Sequence, residues 1–196
     1  MRPGPPKQFD PDDALERARD LFWRRGYDGT GVAELEAELG IGRKSLYDTF
    51  GSKRALYLRA LEHYGATVIG AICAGLDRAD SDALANLERV LEKLVRHHGS
   101  GASLGCLLGV GMAQVERDDA EVAAVVRAWL ARLEQAFERV LQRALEAGAL
   151  RADVRPRDAA LQLVALTQGL ALMGRISTSP GALHAAVRGA LDGLRS

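Results

Sequence analysis

Arg43, Lys44 and Ser45 follow directly on the tripeptide Gly40-Ile41-Gly42. Two cations and a hydroxyl at the head of a short segment are the groups that meet base edges and phosphate oxygens when a helix enters a DNA groove. Tyr47 turns its hydroxyl outward on the same segment, while Leu46 and Phe50, four apart, share its inward face. Thr30 and Lys53 lie to either side and would hold the nucleic-acid backbone. A second group of chemically capable side chains, His97, His98 and Cys106, lies further along. A thiol in the first turn of a helix feels the positive end of the helix dipole, which favours the nucleophilic thiolate. Arg96, His97 and His98 would add positive charge to it. The alternative is a small buried hydrophobe. Cys73, on an apolar stretch, reads as packing.

These groups need elements to hold them. The stretch Thr30 to Lys53 divides into a short helix, a glycine turn, a second short helix and a basic cap, the layout of a helix-turn-helix. Glycines suit the turn because they accept backbone angles closed to other residues. Between residues 41 and 60, five cations (Arg43, Lys44, Lys53, Arg54 and Arg59) stand against one anion, Asp48. The whole chain of 196 residues carries 26 basic and 26 acidic side chains, so bulk attraction to nucleic acid is excluded and a small docking footprint is favoured.

The residues Gly26-Tyr27, Thr30, Val32 to Leu39, Gly40, Leu46-Tyr47, Phe50 and Ser52-Lys53 follow one another in a specific order. In that order the chain resembles the TetR family of bacterial repressors. It departs from the family at Glu36, at Thr49 and at Gly31, which stands where Ser or Thr commonly caps the helix. The resemblance implies an all-α fold of about nine helices, in which a helix-turn-helix head is joined by a long helix to a ligand-binding and dimerisation domain. The expected division is a flexible basic, proline-rich arm over 1–10, the DNA-binding head over 11–52 and the remaining domain over 53–196. Arms of this kind, here bearing Arg2 and Lys7, can reach into a minor groove.

Periodicity places the other helices. The first runs from Pro11 or Asp12 to Gly26, and a long one from about Lys53 to Gly75. Others follow Ser81-Asp82, span Leu104 to Val115, and begin at Asp118-Asp119. Two more open with proline, from Pro156 to Ile176 and from Pro180 to Leu194. The segment from Leu161 to Ile176 is apolar on more sides than a surface helix needs. The resemblance implies that the last two helices form a four-helix bundle with a second copy, through Ala165, Gly169, Met173, Leu183 and Val187. A two-fold dimer sets its reading helices about 34–36 Å apart, so the double-stranded DNA operator should be palindromic.

The resemblance also implies a small-molecule site in the C-terminal part, drawing on Tyr64, Val68, Cys106, Met112, Trp129 and Leu166. The Gly105-Cys106 step resembles a TetR subgroup in which some members sense electrophiles or oxidants. The expected effector is therefore a small molecule or an electrophile, with Cys106 as sensor or as plain structure. Metal sensing through His63, His97, His98 and Cys106 is the lesser alternative, since no CxxC or HxxxH spacing exists and adjacent helical histidines diverge by about 100°. No metal or cofactor is expected.

Other classes find little footing. There is no phosphate-cradling glycine loop and no local nucleophile, base and orienter, which argues against an enzyme. An interaction module that never meets DNA would lack steep salt dependence toward a palindromic site. No apolar run approaches the ~20 residues that span a bilayer, and the N-terminal residues carry no apolar leader, so no membrane partner and a cytoplasmic location are expected. Two cysteines are too few for a disulfide framework and fit a reducing compartment.

Overall fold

The computed structural model describes residues 9–79, 82–114, 119–176 and 179–195. Arg2, Lys7 and most of the expected arm, with Ser81, Val115 and Asp118, lie outside the described residues. Among the described residues there are nine helices and no strand, only an isolated bridge between Leu150 and Arg195.

Helix α1 spans Pro11–Arg25. Asp10 caps it by accepting the Asp12 N–H at 2.8 Å, Pro11 occupies its first position, and Gly26 ends it at φ +75°. Helices α2 (Val32–Leu39) and α3 (Arg43–Phe50) form the turn motif. Gly31 cannot cap α2 with a side chain, so Glu34 reaches back to accept the Gly31 N–H at 2.9 Å. Gly40 takes the left-handed conformation at φ +68°, as the turn requires.

Helix α4 begins at Ser52, whose hydroxyl accepts the Ala55 N–H at 3.0 Å. It runs as an α-helix over Lys53–Tyr64, a π-helical turn over Gly65–Ile69, and α-helix again over Gly70–Leu76. Gly65 has the Trp129 ring against it, so close that an added Cβ would lie 2.2 Å from the indole. The remaining helices are α5 (Ala83–His98), α6 (Leu107–Gln114), α7 (Ala120–Glu146), α8 (Pro156–Arg175) and α9 (Pro180–Asp192). The sixth starts three residues later than the sequence suggests. Gly105 breaks the helical path at φ +78°, and the Arg175 side chain fills the place of its missing Cβ.

One apolar core runs from the head into the body. Helix α1 packs along α4, and α7 and α8 form the most extensive pair. The rings of Phe22, Tyr27 and Tyr57 lock α1 to α4, with Tyr57 about 5.0 Å from each of the other two centroids. Gly111 lets α6 press on the buried Tyr57 hydroxyl, which would lie 2.8 Å from a Cβ there. Burial pushes the Tyr57 hydroxyl up to about 12, so it stays neutral.

Candidate functional site

Helix α3 is exposed along the side that carries its cations. Gly42 precedes it without a side-chain cap, so no side chain occupies the first N–H groups. Arg43 reaches Glu36 at 3.5 Å, and Lys44, almost fully exposed, pairs with Asp48 at 2.6 Å one turn on. Both are rim pairs that an incoming phosphate can replace at little cost. Ser45 is exposed and Tyr47 is 39% exposed, while Leu46 and Phe50 are buried against the head. The short helix is thus pinned by two apolar residues and presents Arg43, Lys44, Ser45, Tyr47 and Asp48.

Thr30 stands elsewhere than expected. It is fully buried, and its hydroxyl donates to the Gly26 carbonyl at 2.6 Å. Its contribution is to fix the corner between α1 and α2, not to touch a backbone phosphate. Lys53 is half-buried with its ammonium 4.2 Å from the centre of the Tyr27 ring, a cation–π contact at the edge of the head.

Two more of the five clustered cations are engaged within the fold. Arg54 forks onto Asp119, the capping residue of α7, and also donates to Glu121 at 2.7 Å. Its guanidinium holds the Asp119 carboxyl down at about 2. This clamp joins the first turn of α4 to the first turn of α7. Arg59 leans over the Phe50 ring at 5.3 Å. No local pattern could have revealed the Arg54 clamp, because its partners lie 65 and 67 residues away.

In the body, the residues expected to line one pocket are spread over separate clefts. Cys106 and Met112 come together with Val110, Gln168, Leu172 and Arg175 around a cavity of about 390 Å³ between α6 and α8. Tyr64 sits behind Cys106, and burial with the thiol beside it raises its hydroxyl well above the usual range. Val68 lines a different cleft, between α4 and α5. Trp129 lies on another side of α4, where its N–H donates to Glu62 at 2.7 Å and Arg132 covers its ring at 4.6 Å. Leu166 is half-buried against the core. The helices also approach closely at Gly65, against the Trp129 ring, and at Gly111, against the Tyr57 hydroxyl.

Cys106 is 8% exposed and immediately precedes the first residue of α6, with its carbonyl accepting the Val110 N–H at 2.9 Å. The segment before it is held by His98, whose Nδ1 lies 2.8 Å from the Ser103 hydroxyl, and Ser103 in turn accepts the Gly105 N–H at 3.1 Å. The expectation that Arg96, His97 and His98 lend charge to the thiol is corrected here. Burial, with His97 adjacent, lowers His98 to about 4, so it is neutral at pH 7. Arg96 pairs with Glu92 at 3.4 Å, and His97 faces the α4–α5 cleft. Arg175 is the cation in the thiol's cleft, where it also donates to the Leu104 carbonyl at 3.2 Å. Cys73 is half-buried beside the Arg132 carbonyl, and burial raises its thiol.

The expected dimer residues also divide. Leu183 and Val187, expected at the dimer interface, are instead 0% and 4% exposed inside their own subunit, where they pack α9 onto the core. Ala165 is exposed, and Gly169 and Met173 are half-buried. Leu161, Leu172 and Ile176 are 51%, 68% and 77% exposed, and with Ala165 they form one stripe on α8. Beside it α9 exposes Ala182, Ala185, Ala186 and Gly189.

An all-helical body carrying a helix-turn-helix with an exposed, cation-bearing second helix defines a class of bacterial regulator. Residues 14–60 match the family described as bacterial regulatory proteins, tetR family, and residues 82–190 match the tetracyclin repressor-like C-terminal domain. The chain belongs to the TetR family. It is 36% identical over 111 residues to the HTH-type transcriptional repressor BdcR of Escherichia coli (strain K12), an alignment covering 56% of each chain. The chain thus spans about half the length of that relative. It is 25% identical over 166 residues to the repressor DhaR of Mycobacterium sp. (strain GP1), covering 83% of this chain and 80% of DhaR. Among solved structures, a cysteine mutant of the regulator CifR complexed with 26-bp double-strand operator DNA superposes with TM-score 0.85 at 29% identity. That match covers 97% of this chain and 100% of CifR. The reduced form of E. coli NemR shares the fold at TM-score 0.84 and 21% identity, covering 93% and 95%.

Proposed function

We propose that this protein is a transcriptional repressor that binds a palindromic operator as a homodimer and is released by an effector acting at the Cys106 cleft. The observation that carries the proposal is the exposed α3, uncapped and bearing Arg43, Lys44, Ser45 and Tyr47, in a chain that superposes on an operator-bound relative along nearly its whole length. Arg43 and Lys44 reach base edges or phosphates, and Tyr47 and Lys53 hold the backbone. Pairing of two α8–α9 faces would bury Leu161, Leu172 and Ile176, large apolar side chains that a lone subunit leaves in water.

Two features support release through Cys106. The thiol lines an open cleft, and Leu172 belongs both to that cleft and to the apolar stripe of α8. A group added to the sulfur would therefore press on the proposed dimer face, on which the spacing of the two heads depends. The cleft's apolar walls and size also suit a non-covalent ligand, with Cys106 then a structural residue.

The test compares operator affinity for untreated protein, protein treated with N-ethylmaleimide, and the Cys106→Ser variant under the same treatment. In the reaction the sulfur bonds to one carbon of the maleimide double bond, and the thiol proton ends on the other. Release of the wild type but not of the variant is the expected result. Equal binding in all three would assign the cysteine to structure and leave the cleft to a non-covalent effector.

A further inference from the structure

We infer that the cleft between α4 and α5 is a second ligand site, built for an organic anion with an apolar body. The cleft encloses about 590 Å³ and shares no lining residue with the cavity at Cys106. Its floor is apolar, from Val68, Ile72, Val90 and Leu94, and Trp23 of the DNA-reading head stands among its walls. Its charged lining is of one sign. Its cations are Arg78, Arg89 and Lys93, the last two one turn apart on α5, with the His97 ring a further turn along, and no acidic side chain lines it among the described residues.

Arg89 and Lys93 are available to a ligand. Among the described residues, exposed Lys93 makes no ion pair and Arg89 donates only to the neutral Asn86 side-chain oxygen at 2.7 Å. Neighbouring acids on the same two helices are held elsewhere. Asp77 pairs with Arg139 at 2.6 Å, Glu88 with Arg195 at 2.6 Å and Glu92 with Arg96 at 3.4 Å. An apolar trough beside Arg89 and Lys93, neither of them ion-paired among the described residues, is complementary to a carboxylate or sulfonate on a hydrocarbon or aromatic body. Eight residues of α5 span about 12 Å, which suits a body of about ten carbons.

A ligand there would touch both head and body. The Trp23 ring meets Tyr64 edge-on at 5.0 Å, and its N–H is buried without a hydrogen-bond partner among the described residues.

Calorimetry on the whole protein without DNA tests the site, so that failure of the operator reading would leave the result standing. The probes are decanoate, 1-decanol and acetate. The variants are Arg89→Gln with Lys93→Gln, and Ala71→Trp, which fills the cleft from an exposed position. Decanoate should bind the wild type, and the double variant should weaken it by at least about five-fold while leaving decanol unchanged. Ala71→Trp should abolish both, and acetate should not bind. Unchanged melting temperatures would verify that the variants fold. Absence of decanoate binding, or decanoate binding indifferent to both variants, would overturn the inference.

Discussion

At the scale of single residues, the same charge serves different ends according to what lies beside it. Lys44 and Arg54 are ten residues apart in a basic stretch, yet Lys44 is out in solvent and Arg54 is clamped to Asp119 and Glu121. Replacing Lys44 by Ala should therefore cost about 1–3 kcal/mol of operator binding if it reads a base, less at a phosphate, and lower the salt slope by about one per protomer. Arg54→Gln should leave that slope unchanged, as a titration of affinity against salt concentration would reveal. Tyr47→Phe should weaken binding to all DNA with little change of sequence preference, measured by competition between operator and random duplex.

His98 sets a pH dependence of its own. Its ordinary value of 6.5 falls to about 4 in the fold, so between those values the unfolded chain binds more protons than the native one. Stability should then fall as pH drops from 6.5 toward 4, and His98→Gln should flatten that part of the curve in urea titrations. The α3 residues were legible in the sequence because turn chemistry and helical period are local. Thr30 was not, since its burial follows from how α1 and α2 meet. Nor was Arg54, whose partners belong to a helix far along the chain.

At the scale of elements, helix existence was legible and helix interruption was not. Gly26, Gly31, Gly40 and Ser52 mark the ends they were expected to mark, each by a capping group or a glycine backbone. The π turn at Gly65–Ile69 carries no sequence signature, because it accompanies the Trp129 ring arriving from α7. Gly65→Ala should consequently destabilise the protein by about 1–3 kcal/mol, a cost of overpacking that equilibrium urea unfolding would read. A variant as stable as wild type would mean that the ring yields freely. The late start of α6 has the same kind of origin. Gly105 departs from the helix where Arg175 of α8 covers it, and this leaves Cys106 at the helix entrance.

At the scale of the whole molecule, the body is a set of packed helices whose outermost two expose an apolar stripe and a run of small residues. The apolar character of α8 was plain in the sequence. Which of its residues face outward depended on how α7 packs beneath it, and Leu183 and Val187 prove to be core. Replacing Leu172 and Ile176 together by Glu should turn a dimer into monomers in sedimentation analysis, with loss of operator binding. Because Leu172 also lines the Cys106 cleft, the proposed dimer face and the proposed effector cleft share a wall. The central claim, that the exposed face of α3 reads DNA, is tested most directly by the affinity of the purified protein for the DNA flanking its own gene, measured across salt concentrations. Tight binding to a palindrome is expected, with a steep salt dependence that Lys44→Ala makes shallower. Binding that is absent, or indifferent to both salt and Lys44, would contradict it.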